Sequence, residues 1–507
     1  MHEAGEHPAA VAAADPDRLA LVMSDSGESR TYRELDEASR RLALVLRDRG
    51  LRIGDHLAVL LDNQPAYFEA VWAGLRSGLY VTPINWHLTG AEAAFIVADC
   101  GADAIVATAE LAPMIDGQGD GDLIVRLAVG GTTAGFEAYE ATVSSRALDE
   151  VPGECEGQWM FYSSGTTGRP KGIVPGEVGA ALGAPSGFTQ LLTGLFGFTR
   201  ETVYLSPAPL YHAAPAGWTT GTQRIGGTVV VMDHFDPIKL LAAIERHRVT
   251  HLQVVPTHLV RLLKLPADVR AGFDLSSLAM VVHAAAPCPV ETKRAALEWL
   301  GPIIHEYYAG SEGNGFCAIG PEEWLAHPGS VGRSLLGAIH IVGPDGEEQP
   351  AGAEGEVWFE SPRRFEYHGD PAKTAEAWND AGWSTIGDIG MVDDDGYLYL
   401  TDRASNMIIS GGVNIYPREI EDLLLGHPAV LDAAVIGTPD ADLGEQVTAF
   451  VQLDPAYVGE GDNRDLPADL VVYCREHLAH FKCPRSVRLV DELPRTPTGK
   501  LLKRLLR

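Results

Sequence analysis

Four times between His56 and Leu300 a short apolar run is followed by a helical pattern. "HLAVLL" (56–61) precedes "AYFEAVWAGLRSG" (66–78), and "GGTVVVM" (226–232) precedes "PIKLLAAIERHRV" (237–249). "THLQVVP" (250–256) precedes "THLVRLLKL", and "LAMVVHAAAP" (278–287) precedes "VETKRAALEWL" (290–300). Strands read as continuous apolar runs when both sheet faces are covered, and helical crossovers join parallel neighbours. The expected class is therefore α/β, with parallel sheets flanked by helices. Near residue 338 the texture changes. "AIHIVGPDGEEQPAGAEGEVWFES" places turn residues at Pro344, Asp345, Gly346 and Gly352 between alternating runs, which predicts antiparallel hairpins or a small β-barrel. After Arg403 a compact stretch has its own α+β pattern, with "PREIEDLLLGHP" and "PADLVVYCREHLAHF" as helices and "VLDAAVIG" and "QVTAFVQL" as strands. The expected domains are 1–402 and 403–507.

At 507 residues the chain is too long for one ordinary core. Its 69 acidic residues against 39 lysines and arginines leave a formal charge of −30. Such a surface repels phosphate backbones, so nucleic acid is not an expected partner, and an anionic ligand needs a local concentration of positive groups. The six cysteines form no CxxC pair and no zinc spacing, and read as thiols in a reducing compartment. The N-terminus lacks the basic and apolar regions of a signal peptide, and no apolar window is long enough to span a membrane. A cytoplasmic location is expected.

"SSGTTGRPKG" (163–172) follows an apolar run with small hydroxyls, glycines and one lysine. Glycine lets backbone N–H groups approach a ligand, Ser and Thr add donors, and Lys171 adds a positive charge. This is the composition of a phosphate cradle. It is not the Walker pattern, because Pro170 precedes Lys171 and Gly172 follows it.

The run resembles the phosphate-binding signature of the adenylate-forming superfamily, which includes acyl-CoA synthetases, aryl-CoA ligases, adenylation domains and luciferases. Further segments match in order: "EYYAGSEG" (306–313), "GWSTIGD" (382–388), "DRASNMIISGGVNIYPREIE" (402–421) and "PRTPTGKLLK" (494–503). The resemblance covers nearly the whole chain. It implies a large adenylation domain, and a small C-terminal domain that rotates to bring in a catalytic lysine. It also implies ATP, Mg2+ and coenzyme A as cofactor and co-substrates. The reaction implied is attack of a carboxylate on the α-phosphorus of ATP, giving acyl-AMP and pyrophosphate, then transfer of the acyl group to a thiol. Oriented donors and positive charge supply such catalysis.

By resemblance, Ser163, Ser164, Gly165, Thr166, Thr167, Gly168 and Lys171 cradle the phosphates. Glu312 holds magnesium together with Thr166, and Ser311 bonds the α-phosphate. Tyr308 stacks on adenine, while Ala285, Ala286 and Pro287 line its other face and Tyr307, Ala309 and Gly310 complete the segment. Glu306, where relatives often carry an amide, accepts from the adenine amino group. Asp388 takes both ribose hydroxyls, since a carboxylate accepts two bonds at once, and Arg403 assists at the ribose or phosphate. Lys500 reaches the carboxylate and the α-phosphate, and losing such a donor costs about 3 kcal/mol in the transition state. The hinge pivot, usually Asp or Lys, is here Ser405. After rotation Ser410, Gly411 and Gly412 border the pantetheine tunnel.

"PLYHAAPAGW" (209–218) resembles the aromatic-then-His gate over the acyl pocket of CoA ligases, with His212 as the gate. Ala213, Ala214, Ala216 and Gly217 on one side, and Ala284, Gly310 and Gly313 on the other, are small. Such walls leave room for a bulky apolar acid: fatty, aryl-substituted, terpenoid or steroid. CoA is the expected acceptor. An acyl carrier protein loaded by a stand-alone ligase is the alternative, and a ligand-binding homologue without catalysis a third reading. The partners are otherwise small molecules, and the chain is expected as a monomer or homodimer.

Overall fold

The computed structural model describes residues 6–115, 123–163, 170–174, 176–403, 406–410, 413–440, 443–455, 457, 465–495 and 501–506, without the side chains of 403 and 414. These residues form two compact units, the first of 1–254, 264–282 and 365–376, the second of 255–263, 283–364 and 377–507. The boundary expected at 403 falls inside the second unit.

The first unit is α/β. Six parallel strands run in the order Glu137–Ala138, Val125–Val129, Ala104–Thr108, His56–Leu60, Tyr80–Pro83 and Gln158–Trp159. The helix Pro65–Arg76 returns the chain from His56–Leu60 to its parallel neighbour Tyr80–Pro83, and every residue of that helix is buried. A helix apolar all round belongs in a core. Its one cation, Arg76, is paired by Asp36 Oδ1 at 2.9 Å and Glu154 Oε1 at 2.6 Å. A second sheet places His251–Val254, Val203–Ser206, Thr228–Val231 and Leu19–Met23 side by side. All the expected strand–helix pairs form, including Pro237–His247 after Thr228–Val231 and Pro256–Leu263 after His251–Val254.

In the second unit, Ile304–Ala309 and Phe316–Ile319 form an antiparallel hairpin, extended by Arg333–Leu336. Where hairpins or a small barrel were expected stands a four-stranded antiparallel sheet: Ala338–Val342, Gly355–Glu360, Ser384–Val392 and Leu398–Arg403. The C-terminal stretch has a core of its own, built from Ile408, Ile420, Leu424, Val435, Val451, Leu470 and their neighbours. Its helices are Pro417–Leu425 and Leu466–His477, and its long hairpin is Val430–Asp440 with Gly444–Leu453. No helix among the described residues is long and apolar enough to cross a membrane.

Candidate active site

The residues that flank the phosphate-type run form a short antiparallel pair in the first unit. Tyr162 pairs with Gly172 and Ser163 with Lys171, so the two ends of the loop are brought side by side. Residues 164–169, with Ser164, Gly165, Thr166, Thr167 and Gly168, lie outside the described residues. The returning strand is held on both sides: Ile173 N donates to Phe161 O, and His368 N donates to Gly172 O. Tyr162 Oη donates to Asp99 Oδ2 at 2.6 Å, fixing the other limb. Lys171 Nζ lies 5.6 Å from the centroid of the Tyr367 ring.

His212, also in the first unit, is the N-cap residue of the helix Ala213–Ile225 and is half-buried. Its ring packs 4.3 Å from that of Tyr211, which is buried. The approach to this helix is fixed by Asn63, whose Nδ2 donates to Met232 O and Ala208 O while Leu210 N donates to its Oδ1. Tyr67 Oη donates to Leu210 O at 2.6 Å. Ala213 and Ala214 are half-buried, whereas Ala216 is fully buried and therefore faces protein. The room expected beside Gly217 is occupied in part: a Cβ there would meet Phe188 Cε1 at 3.4 Å, while one at Gly221 would meet Leu192 Cδ1 at 2.5 Å and Phe188 Cε1 at 3.4 Å. Phe188 comes from the helix Gly187–Phe196, and nothing near "PLYHAAPAGW" in the sequence announces it.

In the second unit the hairpin turn carries Gly310, Ser311, Glu312 and Gly313. Gly313 N donates to Gly310 O and the glycine takes φ 68°, the left-handed region. Glu312 is half-buried, and a Cβ on Gly310 would fall 2.9 Å from its Oε2 and 3.0 Å from Ile386 Cδ1. Ser311 and Ala309 are exposed. One carboxylate at a polar turn fits magnesium, which keeps several waters and substrate phosphates as its other ligands. Among the described residues no group of three or more His, Cys, Asp or Glu converges as a protein-only metal site.

Tyr308 Oη donates to Asp388 Oδ2 at 2.6 Å, and Asp388 is 6% exposed. Two segments distant in sequence, each expected at the nucleoside, thus meet through a charge-assisted hydrogen bond. Arg403 stands directly across from Asp388 in the backbone register. Tyr307 points to the opposite face of its strand and stacks on Phe316 with centroids 5.3 Å apart. Ala285 has φ 72°, a conformation a non-glycine residue rarely adopts, and it and Pro287 are exposed while Ala286 is half-buried. Backbone strain of this kind collects at ligand sites. Ala284, expected at the acyl pocket, is 3% exposed.

Glu306 has a partner that its motif does not announce. Its Oε2 lies 2.6 Å from Lys293 Nζ, and both side chains are buried. Burial pushes its carboxyl above the usual range against the pull of Lys293. Lys293, on the helix Val290–Leu300, has no motif around it, and only burial singles it out.

In the C-terminal stretch Ser410 pairs with Val413 across the hairpin Ile408–Ser410 and Val413–Ile415, and with Gly444 on its other side. Gly411, Gly412 and Ser405 lie outside the described residues, as does Lys500. The segment before Lys500 is tied to the domain by Arg495, whose Nε and Nη2 reach the two oxygens of Asp432 at 2.5 and 2.6 Å.

Residues 9–366 match the AMP-binding enzyme family and residues 419–500 match the AMP-binding enzyme C-terminal domain. A feruloyl-CoA synthase of an Amycolatopsis species is 35% identical over 487 residues, 96% of this chain and 94% of that protein. A long-chain-fatty-acid–CoA ligase of Mycobacterium tuberculosis is 32% identical over 499 residues, 97% of this chain and 95% of that protein. Among solved structures, ATP-bound MatB from Rhodopseudomonas palustris has a TM-score of 0.79 at 27% identity, covering 99% of this chain and 98% of that one. With both its parts matched in order, and relatives of this identity spanning nearly all of it, the chain belongs to the AMP-binding enzymes.

Proposed function

We propose that the chain is an AMP-forming acyl-CoA synthetase that activates a bulky apolar carboxylic acid with ATP and passes the acyl group to coenzyme A. The observation that carries the reading is the Tyr308–Asp388 pair, an aromatic face and a buried carboxylate joined at 2.6 Å. That pair suits adenine on the ring and ribose hydroxyls on the carboxylate. The Ser163–Lys171 hairpin base suits the β- and γ-phosphates. Glu312, with Thr166, would hold Mg2+, which neutralises phosphate charge as pyrophosphate leaves. Lys500 supplies the positive charge to the acid carboxylate and α-phosphate, and Ser311 a hydroxyl donor. Rotation of the segment after 403 about Ser405 then clears the carbonyl for the thiol, with Ser410, Gly411 and Gly412 along its path.

Phe188 narrows the space beside Gly217, where a Cβ would meet its ring at 3.4 Å, and so bears on the width of acid admitted there. All six cysteines are buried and free, in keeping with a reducing cytoplasm.

The test offers fatty, aryl and polycyclic acids with ATP, magnesium and CoA, and follows pyrophosphate and acyl-CoA in parallel. A thioester from one class, reduced a few hundredfold by Lys500→Ala, is the expected result. Pyrophosphate without thioester would move the acceptor to an acyl carrier protein. Silence in both channels with every acid would favour a binding homologue.

A further inference from the structure

Lys293 is 0% exposed, a rare state for a lysine. Its ammonium lies 2.6 Å from Glu306 Oε2 and 4.8 Å from the centroid of the Trp324 ring. The same carboxylate oxygen stands 3.4 Å from Nε2 of His283, which is also 0% exposed. Neither ring nitrogen of His283 makes a hydrogen bond with the described residues. Burial, then the nearby Lys293, pushes the His283 ring well below its usual range.

The cluster joins two segments. His283 immediately precedes the turn in which Ala285 takes its strained φ of 72°. Glu306 is two residues from Tyr308 on the strand Ile304–Ala309, hence on the same face. A buried ion pair is weak as a source of stability, because apolar residues of similar volume do as well or better. What it does supply is direction: one short charge-assisted contact with a defined geometry.

We propose that Lys293 is a positioning residue for the nucleotide, fixing through Glu306 the strand that carries Tyr308 and the turn that carries Ala285, so that the two hold adenine between them. The proposal rests on the ATP site of the reading above, and it gives Glu306 a supporting place under the adenine in exchange for direct contact with it.

The test measures AMP and tripolyphosphate affinity by calorimetry, with thermal midpoints, for wild type, Lys293→Met, Glu306→Gln and the double variant. Each variant is expected to weaken AMP about tenfold and to leave tripolyphosphate, a probe of the phosphate loop, within twofold. The double variant should be no worse than either single, because both remove one contact. AMP affinity within twofold of wild type in the folded double variant overturns the proposal. So does equal loss of both probes, the mark of a merely structural role, or a double penalty that multiplies the singles. The double variant has no unpaired buried charge and decides the matter where Lys293→Met does not fold. Wild type that fails to bind AMP overturns the ATP-site reading and this proposal together, whereas normal wild-type binding with unmoved variants overturns this proposal alone.

Discussion

Tyr308→Phe removes one oxygen and keeps the ring. In the structure that oxygen donates to Asp388 Oδ2 at 2.6 Å, the usual length of a charge-assisted hydroxyl–carboxylate bond. Such a bond contributes about 1.5–3 kcal/mol, and Asp388, 6% exposed, has little water to replace it. Because the bond exists before and after nucleotide binds, most of that loss should appear as lowered stability. Only the cost of ordering a loosened carboxylate appears on binding, about 0.5–1.5 kcal/mol, or roughly three- to tenfold in the KM for ATP. The assay is pyrophosphate release against ATP concentration, repeated with 2′,3′-dideoxy-ATP. That analogue offers no ribose hydroxyls to Asp388, so the mutational penalty should vanish with it. A penalty of equal size with both nucleotides would refute the assignment of Asp388 to the ribose. An unchanged KM for ATP in a destabilised variant would refute the role of Tyr308 in ordering it.

Phe188→Ala should open space beside Gly217 and Gly221 and shift the preferred acid toward wider molecules, by about tenfold in kcat/KM; an unchanged acid profile would remove Phe188 from the pocket wall. His258 is buried, and burial lowers its pKa to about 3 against an unfolded value near 6.5. The unfolded chain therefore binds the proton first, so this stability is complete above about pH 6.5 and is lost at about 1.4 kcal/mol per pH unit as the pH falls toward 3. Urea midpoints at pH 7.5 and 5 should fall less for His258→Gln than for wild type, and equal falls would contradict the shift. Gly315→Ala would drive a Cβ into the buried Phe359 ring and should cost about 1–3 kcal/mol, partly recovered by Phe359→Leu; an unchanged thermal midpoint would show that the ring can move aside.

The α/β character, the parallel strands and the C-terminal α+β unit were legible because each rests on a local periodicity. An apolar run such as "GGTVVVM" can be little else than a covered strand when a helix pattern follows it. The candidate phosphate run, the Glu312 turn and Asp388 stand out in the sequence for another reason: their residue types are the ones the proposed chemistry requires, at short spacing within each motif. The partner of Glu306 was not legible in this way. The motif gives its position on the strand, while the charge that claims its carboxylate comes from Lys293, thirteen residues earlier on a helix with no signature. Phe188 is of the same kind, since its nearness to Gly217 exists only once the helices Gly187–Phe196 and Ala213–Ile225 pack together.

By itself, then, the sequence determined the class of elements, their order and the chemical groups available, because these depend on neighbours within a few residues. Only the tertiary structure decided that Tyr308 bonds Asp388 across eighty residues, that Lys293 is buried against Glu306, and that an aromatic ring fills the space two glycines leave. Those outcomes depend on which faces meet and how much water they exclude, and no local pattern encodes either.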